Sequence, residues 1–390
     1  MKTLLLALLL VPMLSFGQNV NVPDIEFKNV LVNNTAINTN GDNEIQVSEA
    51  NAFTGFIDCS FQNISDLTGI EAFTALTILR CQGNQLISLD ISSNTALTIL
   101  RCQGNQLISL DISSNTALTK LVCYENQLTS LDVSTNTALE VLLCYTNGLT
   151  SLDVSSNTSL TSLDCYGNQL TSLDVSSNTA LEVLFCYTNE LTSLDVSNNT
   201  ALEVLFCYTN ELTSLDVSNN TALTDLRCQE NYLISFDISS NTALTELVCY
   251  ENQLTSLDVS TNTALEVLFC YINELTSLDV SNNAALTELV CYGNQLVCLN
   301  VKNNNNVAFI NFDANNNPNL SCIEVDNVNY STTNWTTSID SLTSFNTNCY
   351  DACTCLPTSS TDIQNACDSY TWIDGNTYTV SNNTAMWTET

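Results

Sequence analysis

The 390-residue sequence contains no histidine, and only seven basic side chains stand against 41 acidic ones. Without histidine, Ser-His and Cys-His nucleophilic pairs and imidazole-metal sites are excluded. The formal net charge of −34 argues against nucleic acid or an anionic membrane surface as partner, because both require a basic footprint. Long apolar runs are missing too. The most apolar stretch, 13 residues from Leu4 to Phe16, is too short to span a bilayer, and nothing later in the chain is longer. Charged residues make up only 12%, yet the 44% hydrophobic fraction suffices for a large core, so the chain is not a disordered acidic polymer. Lys2 ahead of the apolar run and small Gly17 behind it make 1–17 read as a cleaved signal peptide. The mature protein is therefore expected to be exported, outside the cell or on its surface, without a membrane span.

What is present is a period. Cysteines fall at 81, 102, 123, 144, 165, 186, 207, 228, 249, 270 and 291, each 21 residues after the last. Around them the unit reads L-x-x-L-x-C-x-x-N-x-L-x-x-L-D-V/I-S-x-N-x-x, and eleven such units cover 76–306. A looser unit precedes them, with Ile57, Cys59, Ile64, Leu67 and Ile70 in the apolar columns. An irregular one follows, with Val307, Ile310, Phe312 and Asn315 expected in register. Repetition at this period signals a solenoid in which each unit buries its apolar side against its neighbours.

The unit resembles the leucine-rich repeat family, and closely its short 21-residue bacterial form, in which two L-x-x-L half-motifs are nested. With its signal peptide and N-terminal cap, the chain also resembles secreted leucine-rich repeat proteins of Bacteroidetes. The resemblance implies a mainly β, right-handed solenoid with a parallel sheet on its concave face, used for binding. Cys stands where many relatives place Leu at the sixth position.

The residues support the same fold independently. L-x-C alternates an inward with an outward side chain, the period of a strand. Coils stacked at roughly 4.8 Å bury Leu on Leu. A coil this short leaves turns or a narrow second strand for the convex side. The column Asn84, Asn105, Asn126 and its successors sits where the chain leaves the strand, and Asn94, Asn115 and Asn136 begin a second column; stacked amides there can satisfy buried turns. The expected organisation is a cap at 18–53, the solenoid at 54–306, a C-terminal cap at 307–350, and at 351–390 the start of an adhesin-like module or a disordered tail.

Three chemistries fit the cysteine column: a disulfide chain, a metal array, or small apolar core residues. In-register strands hold Cβ atoms too far apart for bridges and one column offers no tetrahedral cluster, which favours the core reading. Outside the ladder, Cys322 and Cys349 are expected to staple the C-terminal cap, although 298, 353, 355 and 367 allow other pairings. The Asp column from Asp90 to Asp279 points to solvent, where each carboxylate either bonds its own turn or attracts Ca²⁺ between coils. Residues 38–49 resemble a twelve-residue EF-hand loop, with Asn38, Asn40, Asp42, the Glu44 carbonyl and Glu49 at the ligand positions. Asn38 replaces the usual Asp and Asn43 the usual Gly, so any Ca²⁺ affinity would be weak, on the order of 10⁻⁴ to 10⁻³ M. No other cofactor is implied.

The outward positions of L-x-x-L-x-C-x are where the units stop being uniform. Arg80, Arg101, Lys120 and Arg227 fall there, four of the six basic residues left once Lys2 is removed. So do Tyr145, the triplets Val183, Phe185, Tyr187 and Val204, Phe206, Tyr208, and Phe269 with Tyr271. Two readings remain open. The aromatic residues form a ladder that only stiffens the sheet, or they form an apolar patch that takes a protein or glycan ligand, with Arg80, Arg101 and Lys120 on its flank. Non-catalytic recognition on the concave face, in the service of surface adhesion, is the expected function. A structural stalk is the rival, and an enzyme is disfavoured because carboxylates recur in every coil without a unique pair.

Overall fold

A 21-residue coil has too few apolar side chains to enclose a core alone, so its leucines are buried by the coils on either side. The computed structural model describes residues 18–349 and two further short strands, Tyr370–Thr371 and Thr377–Tyr378. Thirteen three-residue strands, from Phe56–Asp58 to Asn311–Asp313, make one parallel sheet in chain order. The register advances by one whole coil at each step, so that Leu79 faces Leu100 and Leu184 faces Leu205. Leu79, Leu100, Leu121 and their successors are fully buried, as are Cys81 through Cys291. On the opposite side most coils carry turns. Among the described residues a second parallel sheet forms only in the last coils, from Ser277–Asp279, Cys298–Asn300, Cys322–Glu324 and Ser344–Asn346. Both expected convex arrangements thus occur, in different coils. No helix among the described residues is long and apolar enough to cross a membrane.

Two asparagine columns join the coils. Asn210 shows the first. Its Oδ1 accepts the Leu191 N–H at 3.0 Å, and its Nδ2 donates to the carbonyls of Cys186 and Cys207, both at 3.1 Å. One amide therefore ties its own coil to the preceding one, and the pattern recurs from Asn84 to Asn294. In the second column Asn199 is fully buried and its Nδ2 donates to Val175 and Asn178 carbonyls of the preceding coil. After each strand the chain enters the left-handed region. Gly83, Gly104, Gly167 and Gly293 hold that position in four coils, but Thr146, Thr188, Thr209 and Ile272 hold it in others, against the preference of β-branched residues.

The ends are closed by different means. The helix Ile25–Val32 is capped by Asp24, whose Oδ1 accepts the N–H groups of Glu26 and Phe27. The other oxygen of Asp24 accepts from Ser65, fastening the cap to the first coil. At the far end Phe309, Phe312, Trp335 and Phe345 pack as an aromatic cluster, and Cys322 is bridged to Cys349.

The C-terminal register differs from the expected one. Leu289 faces Phe312, and Phe309, Phe312, Ala314 and Asn317 fill the columns, while Val307 and Ile310 are exposed. The Asn-rich segment before the 3₁₀ turn Asn306–Ala308 adds two residues to this coil, which shifts every inward position by two. The signal-peptide segment 1–17 lies outside the described residues. So does the proposed module at 351–390, apart from its antiparallel strand pair, which belongs to a separate unit, Cys353–Thr390.

Cys59 and the eleven ladder cysteines are free thiols without exposure. Burial pushes their pKa up, for Cys102, Cys207 and Cys270 to about 12, so the nucleophilic thiolate is suppressed. Titration with a chromogenic disulfide reagent is expected to find none of these twelve thiols reactive in the folded protein and all of them reactive after denaturation.

Candidate ligand-binding face

The strand alternation that buries Leu184 and Cys186 turns Val183, Phe185 and Tyr187 to the other side of the sheet, where all three are half-buried. The same holds for Val204, Phe206 and Tyr208 in the next coil, so the expected facing is correct. In-register pairing then lines up each outward position as a row. Tyr124, Tyr145, Tyr166, Tyr187 and Tyr208 stack face to face with centroids 4.0–4.4 Å apart. Phe185 and Phe206 stack beside them at 4.6 Å. The row breaks at Gln229 and resumes with Tyr250, Tyr271 and Tyr292. At the break, Arg227 pairs with Asp225 and Glu246 and lies 4.5 Å above the Phe206 ring. Phe269 and Tyr271 are thereby separated from the main patch by a charged seam.

The flanking cations are not equivalent. Arg80 is 3.5 Å from Asp58 and sits over the Phe56 ring, so the first coil already engages it. Arg101 and Lys120 stand in the next two coils at the outward positions expected for them.

Coil five carries what a reading centred on aromatic residues misses. Its strand Ser162–Asp164 places Asp164 between Leu143 and Phe185 in the register. The side chain is 8% exposed, and its Oδ1 is buried without a hydrogen-bond partner. Burial raises its pKa to about 7, with the Tyr166 N–H opposing the shift. The repeat places this carboxylate on an outward row beside Leu143 and Phe185, but its depth of burial is not set by the repeat.

The Asp column on the other side behaves differently. Asp153, Asp174 and Asp195 each accept the N–H of the Ser two residues on at 2.9 Å, and that Ser holds their pKa down. These carboxylates close their own turns, in line with the local-bond reading. In the EF-hand-like loop, Asn38 Oδ1 accepts the Gly41 N–H and Asn40 Oδ1 the Asp42 N–H. Glu49 Oε1 accepts from Thr39 and Asn40, while the Glu44 side chain turns away to Lys28 at 2.7 Å. The loop is ordered by its own hydrogen bonds, and among the described residues no three acidic or cysteine side chains converge on one point.

Comparison with solved structures places this geometry. The functional domain of InlJ from Listeria monocytogenes, whose structure includes a cysteine ladder, is 36% identical, with 79% of this chain and 76% of that one covered at a TM-score of 0.69. The chain belongs to the leucine-rich repeat family. Internalin InlF of the same organism shares the fold at 20% identity, covering 80% of this chain and 98% of that one with a TM-score of 0.59. A leucine-rich repeat protein of Leptospira interrogans does so at 23%, covering 68% and 76% with a TM-score of 0.60. No protein-family model and no curated protein matches the chain.

Asp164 gives this face a pH signature. Because its folded pKa lies above the ordinary value of 3.8, its protonated form is the stabilised one. The contribution is complete below about pH 4 and is lost as pH rises through about 7. Asp164→Asn is therefore expected to be more stable than the parent by about 2 kcal/mol at pH 8, after discounting for partial exposure, and equal to it at pH 4. Thermal melts at the two pH values check the difference.

Proposed function

We propose that this chain is an exported, non-catalytic recognition protein that binds a protein partner on its concave face, in the service of adhesion at the cell surface. The observation that carries the reading is the continuous half-buried patch of Val183, Phe185, Tyr187, Val204, Phe206 and Tyr208, extended by Leu143 and Tyr145. Contiguous apolar surface of this kind marks interaction sites, and Tyr and Phe are enriched in their cores. The second half of the unit, L-D-V/I-S-x-N, repeats almost unchanged, whereas sequence variation is concentrated on the outward strand rows and the turn that directly follows them. A stalk has no use for that asymmetry.

The ring geometry favours a protein over a glycan. Carbohydrates bind aromatic residues by lying on ring faces, but here each inner tyrosine has both faces covered by its neighbours at 4.0–4.4 Å. What the row presents outward is ring edges, hydroxyl groups and aliphatic side chains. That suits apolar side chains of a protein surface better than a sugar. Export is supported by the N-terminal segment MKTLLLALLLVPMLSFG.

Replacing Phe185 and Phe206 together by Ser is expected to weaken binding to extracellular protein targets by about a hundredfold, as loss of two central anchors does. The stacking adds about 1 kcal/mol beyond the burial of the two half-buried rings, itself about 1 kcal/mol each, so the melting temperature is expected to fall by no more than about ten degrees. Solid-phase binding and thermal melts of the same preparation decide. A double variant that unfolds, or one that binds as the parent does, contradicts the assignment.

A further inference from the structure

The concave patch has a carboxyl group at its centre that no cation among the described residues pairs. Asp164 is flanked in the register by Leu143 and Phe185, its own strand adds Ser162, and Val141 and Val183 occupy the neighbouring row. Its Oδ1 is buried and lacks a donor, and no ion pair among the described residues reaches it. The titratable groups that feel its charge are Tyr145 on the face and Cys144, Cys165 and Cys186 beneath the sheet, none of them cationic. Arg227, three coils away, is already engaged by Asp225 and Glu246. An unpaired carboxylate in apolar surroundings is unfavourable for the free protein, and a cation arriving with the partner removes that penalty.

Apart from Lys120 at one end and Arg227 at the other, which Asp225 and Glu246 already pair, the charges around the patch are negative. Glu140, Glu182 and Glu203 are exposed immediately before its strands, and Glu190 and Glu211 are exposed in the turns after them. The chain as a whole carries −34. A second copy of this protein would meet like charge at the rim, whereas a basic surface is steered in.

We propose that Asp164 is the seat of a lysine or arginine side chain, presented by an apolar segment of the protein partner whose hydrophobic residues pack on Phe185, Phe206 and the tyrosine row. The proposal rests on the concave face being the binding site. It makes recognition specific for a cation set among apolar side chains, and it makes binding strengthen with pH, because the carboxylate that receives the cation is ionised above about pH 7.

The test uses the mature chain and a displayed library of random linear peptides, selected on the wild-type protein at pH 8. Selected sequences are expected to carry Lys or Arg between apolar residues. A synthetic peptide of that sequence is expected to bind about tenfold more tightly at pH 8 than at pH 5. Asp164→Asn, and Met in place of the peptide's basic residue, should each remove that gain. Peptides that require Phe185 and Phe206 but lack a basic residue, or that bind Asp164→Asn as well as wild type, overturn this inference and leave the concave-face reading standing. Peptides indifferent to Phe185→Ser and Phe206→Ser overturn both.

Discussion

Everything in this molecule depends on one buried amide. In each coil the first asparagine accepts a backbone N–H from the preceding coil and donates to carbonyls of both coils, as Asn210 does to Leu191, Cys186 and Cys207. A turn leaving a strand inside a packed solenoid has polar backbone groups that water cannot reach. The side-chain amide satisfies donor and acceptor together, across the coil boundary, and so fixes the spacing and register of neighbouring coils. Leucine burial supplies the driving force, but it is indifferent to small slips along the coil axis. The amide is directional and is not.

Register is what turns a repeat into a surface. Because Leu163 meets Leu184 and Leu184 meets Leu205, the outward side chains between them must also line up in rows. Five tyrosines become one stack, two phenylalanines become a second, and a single aspartate becomes an acidic point in an apolar field. The inward leucines and cysteines and the two asparagine columns tolerate little change, since a substitution there leaves an unsatisfied group or a gap between coils. The outward rows are released from that constraint and carry the differences between coils. The proposed binding function sits where the fold has no opinion.

Much of this was legible in the residues. The 21-residue period, the Leu and Cys columns and the two Asn columns are all determined by local pattern, and the structure places each where the alternation predicts. Three features were not. The C-terminal register shifted because the last coil before the cap holds two additional residues, and apolar Val307 and Ile310 mimic the columns that Phe309 and Phe312 fill. The occupied ring faces of the tyrosine row depend on side-chain torsions that no period specifies. Asp164 looks like any other acidic residue in a chain with 41 of them, and only its burial between Leu143 and Phe185 sets it apart.

The most direct test of the amide as the organising contact is hydrogen exchange on Asn210→Ala. The substitution leaves the buried Leu191 N–H without a partner inside the solenoid, while the Cys186 carbonyl keeps only its bond from Asn189. At about 1–3 kcal/mol for one unsatisfied buried group, stability should fall by roughly 2 kcal/mol. Exchange should accelerate in both coils that share the junction, around Leu191 and around Asn210, while distant coils keep their protection. An Asn210→Ala protein with wild-type stability and wild-type protection on both sides of that junction would contradict the account.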